Sequence, residues 1–109
     1  MIITVANQDK FMGMVAKLVN KAHELGFMIT GGTLWREPWV ALYYEKHGKG
    51  VYPSYHTHRL AVDVQLHKDG KYLRDTKDYE PLGAWWETIG GTWGGRFTKP
   101  DGNHFSYLE

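Results

Sequence analysis

Leu60-Ala61-Val62-Asp63-Val64-Gln65-Leu66-His67-Lys68-Asp69-Gly70-Lys71 is the stretch from which the fold is read. Val62, Val64 and Leu66 alternate with Ala61, Asp63 and Gln65, the two-residue period of a strand with one apolar face and one face open to a cleft. The Asp69-Gly70 pair readily takes the positive φ angles of a tight hairpin turn, so the chain doubles back here. Upstream, Met12, Val15, Ala16, Val19, Ala22 and Leu25 recur with a 3.6-residue period and predict a helix that ends at Gly26. Phe27 to Thr30 predicts a short strand running into Gly31-Gly32. A second helix is expected from near Glu37, with Pro38 in its first turn, to Gly48. Downstream, Asp78 is the expected cap of a third helix carrying Leu82, Trp85, Trp86 and Ile89, closed by Gly90-Gly91. Thr92 to Phe97 and His104 to Tyr107 predict two last strands, joined through Pro100-Asp101-Gly102. Helices and hairpin-linked strands without repeated βαβ crossovers predict an α+β fold, a small antiparallel sheet with helices packed on it.

The chain has 109 residues, which predicts one domain spanning 1–109. Its 42% hydrophobic and 23% charged residues argue against disorder. Thirteen Lys and Arg balance twelve Asp and Glu, so charge gives no case for a nucleic-acid partner. There is no cysteine, which excludes disulfides, thiolate metal sites and cysteine nucleophiles. The first ten residues lack the pattern of a signal peptide, and no run approaches the roughly 20 apolar residues of a membrane span. Five Trp among 15% aromatic residues are one way to fill a short core.

Three polar residues stand apart by context: His56 and Asp63 in Ser54-Tyr55-His56-Thr57-His58-Arg59-Leu60-Ala61-Val62-Asp63, and His104 in Asp101-Gly102-Asn103-His104-Phe105. Two imidazoles, one carboxylate and a water compose a tetrahedral zinc site with one open position. Seven residues of strand span roughly 23 Å, so His56 and Asp63 can share an ion only if the chain folds back between Thr57 and Leu60. Asp101, across the Asp-Gly turn from His104, would overhang the metal without binding it. His58 is a rival ligand. The bland alternative stays open: such spacings are common by chance, and the same residues read equally as partly exposed histidines with Asp63 bonded to a turn. Trp93, beside Gly94-Gly95, either walls the cleft or plugs the core. Of the adjacent Trp85 and Trp86, one belongs to the core and the other to an edge. His67 shares a side with Asp63, His23 and His47 read as solvated or capping residues, and Lys68, Lys71, Arg74 and Lys77 as a solvated basic run.

Ser-x-His-x-x-x-x-Ala-x-Asp, then Trp-Gly-Gly, then Asp-x-x-His-Phe, resembles the zinc D-Ala-D-Ala carboxypeptidase and dipeptidase family, most nearly its phage L-alanyl-D-glutamate peptidase endolysins. Trp35-Arg36-Glu37-Pro38, Asp69-Gly70-Lys71-Tyr72-Leu73 and Asp78-Tyr79-Glu80-Pro81-Leu82-Gly83 support the likeness, which covers roughly residues 29–107. The resemblance implies that His56, Asp63 and His104 bind zinc, that Asp101 is the general base, that Arg36 faces the scissile carbonyl, and that Ser54 lines the substrate cleft; its register favours His56 over His58. Trp93 is the other candidate for the cleft wall. Many relatives carry Gly where this chain has Arg59, so the turn after His56 is expected to avoid a backbone conformation that only Gly tolerates. The implied activity is zinc-dependent hydrolysis of peptidoglycan stem peptides, as an L-alanyl-D-glutamate endopeptidase or a D-alanyl-D-alanine carboxypeptidase. Such an enzyme is expected to be a monomer, made in the cytoplasm and acting on the wall after membrane disruption. A zinc-bearing wall-binding module and a single-stranded nucleic-acid binder are the rivals from other classes.

Overall fold

The computed structural model describes residues 3–48, 56 and 58–107, apart from the side chains of Ala41 and Tyr44. Helix α1 spans Val5–Glu24, strand β1 Met28–Gly31, helix α2 Pro38–Lys46, strand β2 Ala61–Lys68, strand β3 Lys71–Tyr72, helix α3 Glu80–Thr88, strand β4 Thr92–Trp93 and strand β5 His104–Ser106. All pairings are antiparallel, in the order β1-β2-β5-β4, with β3 on β2 beyond the end of β5. The fold is therefore α+β, helices on an antiparallel sheet, as the sequence predicts.

The Thr4 side chain opens α1 by accepting from the Asn7 backbone N–H at 3.1 Å, satisfying one of the donors a helix start leaves over. The buried stripe of α1 is Phe11, Met14, Leu18 and Ala22; of the expected Met12, Val15, Ala16, Val19, Ala22 and Leu25, Ala22 alone lies on it, while Val15 and Leu25 are partly buried at its edge. The helix carries two apolar stripes about 100° apart. The one with a phenylalanine and a leucine removes more area from water and faces the sheet, leaving Met12 48% exposed. At the helix end Phe27 N–H reaches back to the Ala22 carbonyl at 3.0 Å, across Gly26 at φ +87°.

Strand β2 is the axis of the sheet. Val62, Val64 and Leu66 are buried against α1 and α3, and the alternation turns Asp63 to the other face. The hairpin closes through Asp69 (φ +53°) and Gly70 (φ +78°), both left-handed as a two-residue turn requires. Beyond it Tyr79 is buried, and its hydroxyl accepts from Leu66 N–H at 3.1 Å while donating to the Leu73 carbonyl at 2.8 Å. That pair fastens the hairpin to the core.

Asp78 does not cap α3. It lies inside a 3₁₀ turn, Thr76–Tyr79, that runs directly into the helix, and Pro81 sits in the first turn of α3. The expected strand Thr92 to Phe97 stops at Trp93, because Gly94–Arg96 form a second 3₁₀ turn. Trp86 is fully buried and meets Phe11 and Phe105 edge-on, at 6.2 and 5.8 Å between ring centres. Its indole N–H donates to the Ser106 carbonyl at 2.9 Å, so one side chain joins α1, α3 and β5. Trp85 is the half-buried partner at the edge. No described helix is long and apolar enough to cross a membrane.

Two glycines on helices separate packing from propensity. A Cβ on Gly13 of α1 meets open space, whereas one on Gly83 of α3 falls inside the Trp93 indole. Helix propensity alone favours alanine at both positions by about 1 kcal/mol. Gly13→Ala is expected to raise the melting temperature and Gly83→Ala to lower it markedly; thermal unfolding of the two variants checks this.

Candidate metal centre

Register brings the first two candidate residues together. Asp63 on β2 is the direct cross-strand partner of His104 on β5, so both side chains leave the sheet on one face. Opposite Asp63 the chain after β1 bulges. Gly32 N–H donates to the Asp63 carbonyl and Asp63 N–H to the Thr33 carbonyl, both at 2.8 Å, so two residues oppose one. That bulge releases the chain from the sheet and carries Trp35 and Arg36 over the same face.

His56 arrives from the turn before β2. Arg59 N–H donates to the His56 carbonyl at 3.2 Å and Arg36 N–H donates to the same oxygen at 3.3 Å. The chain folds back between His56 and β2, as the length of a straight strand demanded. The conformation at its corner differs from expectation: Arg59 adopts φ +63°, the left-handed region the sequence reading expected this turn to avoid. The turn keeps its shape with an arginine in it, at a backbone cost of about 1 kcal/mol. The Arg59 guanidinium stacks over the Trp35 ring at 4.7 Å, which offsets part of that cost.

His56, Asp63 and His104 form a cluster whose ligand atoms all lie within 4.8 Å of one another. Asp63 Oδ1 is 3.2 Å from His56 Nε2 and 3.5 Å from His104 Nδ1, with the two rings edge to face. Asp63 Oδ1 is nevertheless buried without a well-aligned hydrogen bond. Three lone-pair donors thus point toward a common centre. Ligands about 2.0–2.1 Å from a tetrahedral metal ion lie roughly 3.4 Å apart. The 3.2 and 3.5 Å edges fit that figure, so the residues fit a metal. His58, the rival ligand, is not in the cluster; its carbonyl accepts from the Gln8 side chain at 2.9 Å.

The other oxygen of Asp63, Oδ2, faces Arg36 Nη2 at 3.9 Å. Burial pushes the Asp63 carboxyl up, but the imidazoles of His104 and His56 outweigh it and hold its pKa at about 2. Asp101 goes the other way. Standing at the exposed rim, it is raised by partial desolvation and by the Asp63 charge, against the opposing pull of His104, His56 and Arg36.

The Trp-Gly-Gly segment has a structural part that the sequence reading left open. Trp93 is 1% exposed and its indole N–H donates to the Gly102 carbonyl at 2.7 Å, so it plugs the core beneath the Asp101–His104 turn. This corrects its assignment as a substrate-binding residue: a side chain so enclosed offers no surface to a ligand. Gly94 accepts from Asp101 N–H at 2.9 Å, and a Cβ there would collide with the Asp101 carbonyl and the His104 side chain. Phe97, missed in the sequence reading, packs 5.4 Å from the His104 ring. No periodicity marks it, because it follows a 3₁₀ turn. Ser54 lies outside the described residues. His67 sits at the far end of β2, bonded to Thr30 Oγ1 at 3.1 Å, away from the cluster. His23 is exposed on the last turn of α1, and His47 bonds the Tyr43 carbonyl at 2.8 Å.

The left-handed corner makes a separable prediction. Arg59→Gly and Arg59→Ala both delete the contact with Trp35, but only glycine relieves the backbone. Arg59→Gly is expected to be more stable than Arg59→Ala by about 1 kcal/mol in urea unfolding. Equal stabilities would mean the corner is not left-handed in solution.

Residues 47–107, more than half of the chain, match the profile of the M15 peptidase family described as D-alanyl-D-alanine carboxypeptidase. No curated protein sequence matches the chain. Among solved structures, the L-Ala D-Glu endopeptidase ChiX of Serratia marcescens superimposes with a TM-score of 0.77 at 17% identity, over 92% of this chain and 79% of that one. At that identity the structural likeness establishes the fold, and the family match does the rest. A His-Asp-His cluster with both histidines buried, within the matched segment, is what a metallopeptidase needs, and the chain belongs to the M15 family of peptidases.

Proposed function

We propose that this chain is a zinc-dependent endopeptidase of the phage endolysin type, cutting the L-alanyl-D-glutamate bond of peptidoglycan stem peptides. The observation that carries the reading is the convergence of His56 Nε2 and His104 Nδ1 on Asp63 Oδ1 in a chain of the M15 family. The choice of bond is supported by the likeness to ChiX, an L-Ala D-Glu endopeptidase. A second reading, D-alanyl-D-alanine carboxypeptidase, is favoured by the description of the family whose profile matches.

His56, Asp63 and His104 would hold the zinc. When bound, zinc supplies a Lewis acid that lowers the pKa of water and polarises a carbonyl. Asp63 remains ionised across the neutral range, since its neighbours hold it low, and its charge partly neutralises the ion. Asp101 takes a proton from the attacking water and returns it to the leaving amine. Its raised pKa brings it closer to neutrality than an ordinary carboxylate, which favours proton transfer in both directions. Arg36, with its side chain only 14% exposed and turned to the cluster by Asp63, faces the negative charge that develops on the scissile carbonyl oxygen. Ser54 is assigned to the substrate side of the cleft on the family resemblance.

Mass spectrometry of fragments released from purified peptidoglycan, with a chelated control, tests the activity. Chelator-sensitive fragments beginning at D-glutamate are expected; release of single D-alanine would establish the carboxypeptidase instead. Fragments from neither, with zinc bound, would make the chain a wall-binding module.

Titration calorimetry combined with turnover separates the roles. Asp101→Ala is expected to keep zinc affinity while losing about 10²–10⁴ in kcat, the range of a general base. His104→Ala is expected to lose both, with zinc affinity down by more than about 100-fold. Arg36→Ala should lower kcat by roughly 10²–10³ with zinc retained. Full activity in Asp101→Ala would refute its assignment as the base.

A further inference from the structure

A cavity of about 280 Å³ lies between the start of α1 and the chain after β1. Val5, Met12, Leu34 and Trp35 give it an apolar floor, and Asp9 and Arg59 stand in its lining. It shares two segments with the metal centre. Trp35 directly precedes Arg36, whose N–H is bonded to the His56 carbonyl, and Arg59 closes the turn that begins at His56. The pocket is therefore built on the same segments of chain that position His56 and Arg36. The volume is just under the roughly 300–1,000 Å³ of pockets that enclose whole ligands, so it suits a single side chain.

Neither Arg59 nor Asp9 makes an ion pair among the described residues, so the pocket offers one cation and one anion over an apolar base. Arg59 is held there from a left-handed backbone, and its guanidinium lies 4.7 Å above Trp35, already oriented. A strained residue that presents an oriented charge into a cavity points to a ligand for that charge.

We propose that this pocket receives the side chain of a substrate residue ending in an ammonium and a carboxylate on one carbon, the zwitterionic end of a diamino diacid such as 2,6-diaminopimelate. Arg59 takes the carboxylate, Asp9 the ammonium, and the methylene stem lies on Trp35 and Leu34. A lysine in the same position presents the ammonium without the carboxylate, so Arg59 becomes the residue that tells the two apart. The proposal rests on the stem-peptide reading above and adds to it the chemistry of the residue that follows D-glutamate.

Two tripeptides test it, L-Ala-γ-D-Glu-meso-diaminopimelate and L-Ala-γ-D-Glu-L-Lys. The zinc-loaded protein is expected to show kcat/KM at least about tenfold higher for the first, the scale of one charge-assisted hydrogen bond. Arg59→Gln is expected to collapse the ratio between the two substrates toward one, and Asp9→Asn to weaken both. In parallel, the Trp35 indole N–H resonance, assigned with Trp35→Phe, is followed during titration with each tripeptide. It should shift at lower concentration of the diaminopimelate peptide. Equal kcat/KM values, or a preference that survives in Arg59→Gln, would overturn the pocket assignment. If neither peptide is hydrolysed, the resonance decides. A selective Trp35 shift lost in Arg59→Gln would uphold the pocket while the hydrolytic reading fails, and no shift would sink the pocket as well.

Discussion

Asp63 Oδ1, a buried carboxylate oxygen 3.2 and 3.5 Å from two imidazole nitrogens, is the constraint around which the rest of this structure is arranged. A carboxylate taken out of water without compensation costs several kcal/mol, so it persists only where positive or metal partners are held against it. Three unrelated stretches of chain supply them. The β2–β5 register sets His104 directly across from Asp63, and the turn before β2 swings His56 in. The bulge after β1 brings Arg36 to the second oxygen. A one-residue slip of β5 would turn His104 to the opposite face and dissolve the cluster. The sheet register is therefore as much a part of the site as the ligands are.

What keeps that register fixed is the aromatic packing on and around the sheet. Trp86 bonds the Ser106 carbonyl and Trp93 the Gly102 carbonyl, so two buried indoles hold the backbone on either side of His104. Gly83 and Gly94 make room for this: the first lies against the Trp93 ring, the second against the Asp101 carbonyl. Tryptophan suits the task because it combines a large apolar surface with one directional donor. The high tryptophan and glycine content of a 109-residue chain thus has a specific use, close packing under a loop that carries chemistry.

Much of the fold was legible because its signals are local. The alternation of β2 and the Asp69-Gly70 turn depend only on neighbouring residues, and both stand where they were expected. The stripe of α1 was misread because the helix has two apolar stripes and only the sheet beneath decides which is buried. β4 was overestimated because Gly94 and Gly95 permit a 3₁₀ turn that no periodicity announces. The choice between His56 and His58 lay beyond spacing, since both precede β2 by a few residues and the turn alone determines which ring points inward. Arg59 is the instructive case. An arginine gives no hint of a left-handed backbone, and the conformation persists because His56 and Trp35 fix the turn from both sides.

The two acidic residues of the site show how one environment separates like groups. Asp63 and Asp101 stand close enough for the charge of the first to raise the second, yet the first is itself held at about 2. The difference lies in position. Asp63 is enclosed between two imidazoles with a guanidinium on its far oxygen, whereas Asp101 stands at the rim, partly desolvated. Exchanging their roles is not possible on this scaffold: a rim carboxylate lacks the convergent nitrogens needed to share an ion, and a carboxylate held so low is a poor proton acceptor. A pair of carboxylates driven apart in this way is suited to one fixed charge and one mobile proton. In the proposed reaction Asp63 is the first and Asp101 the second.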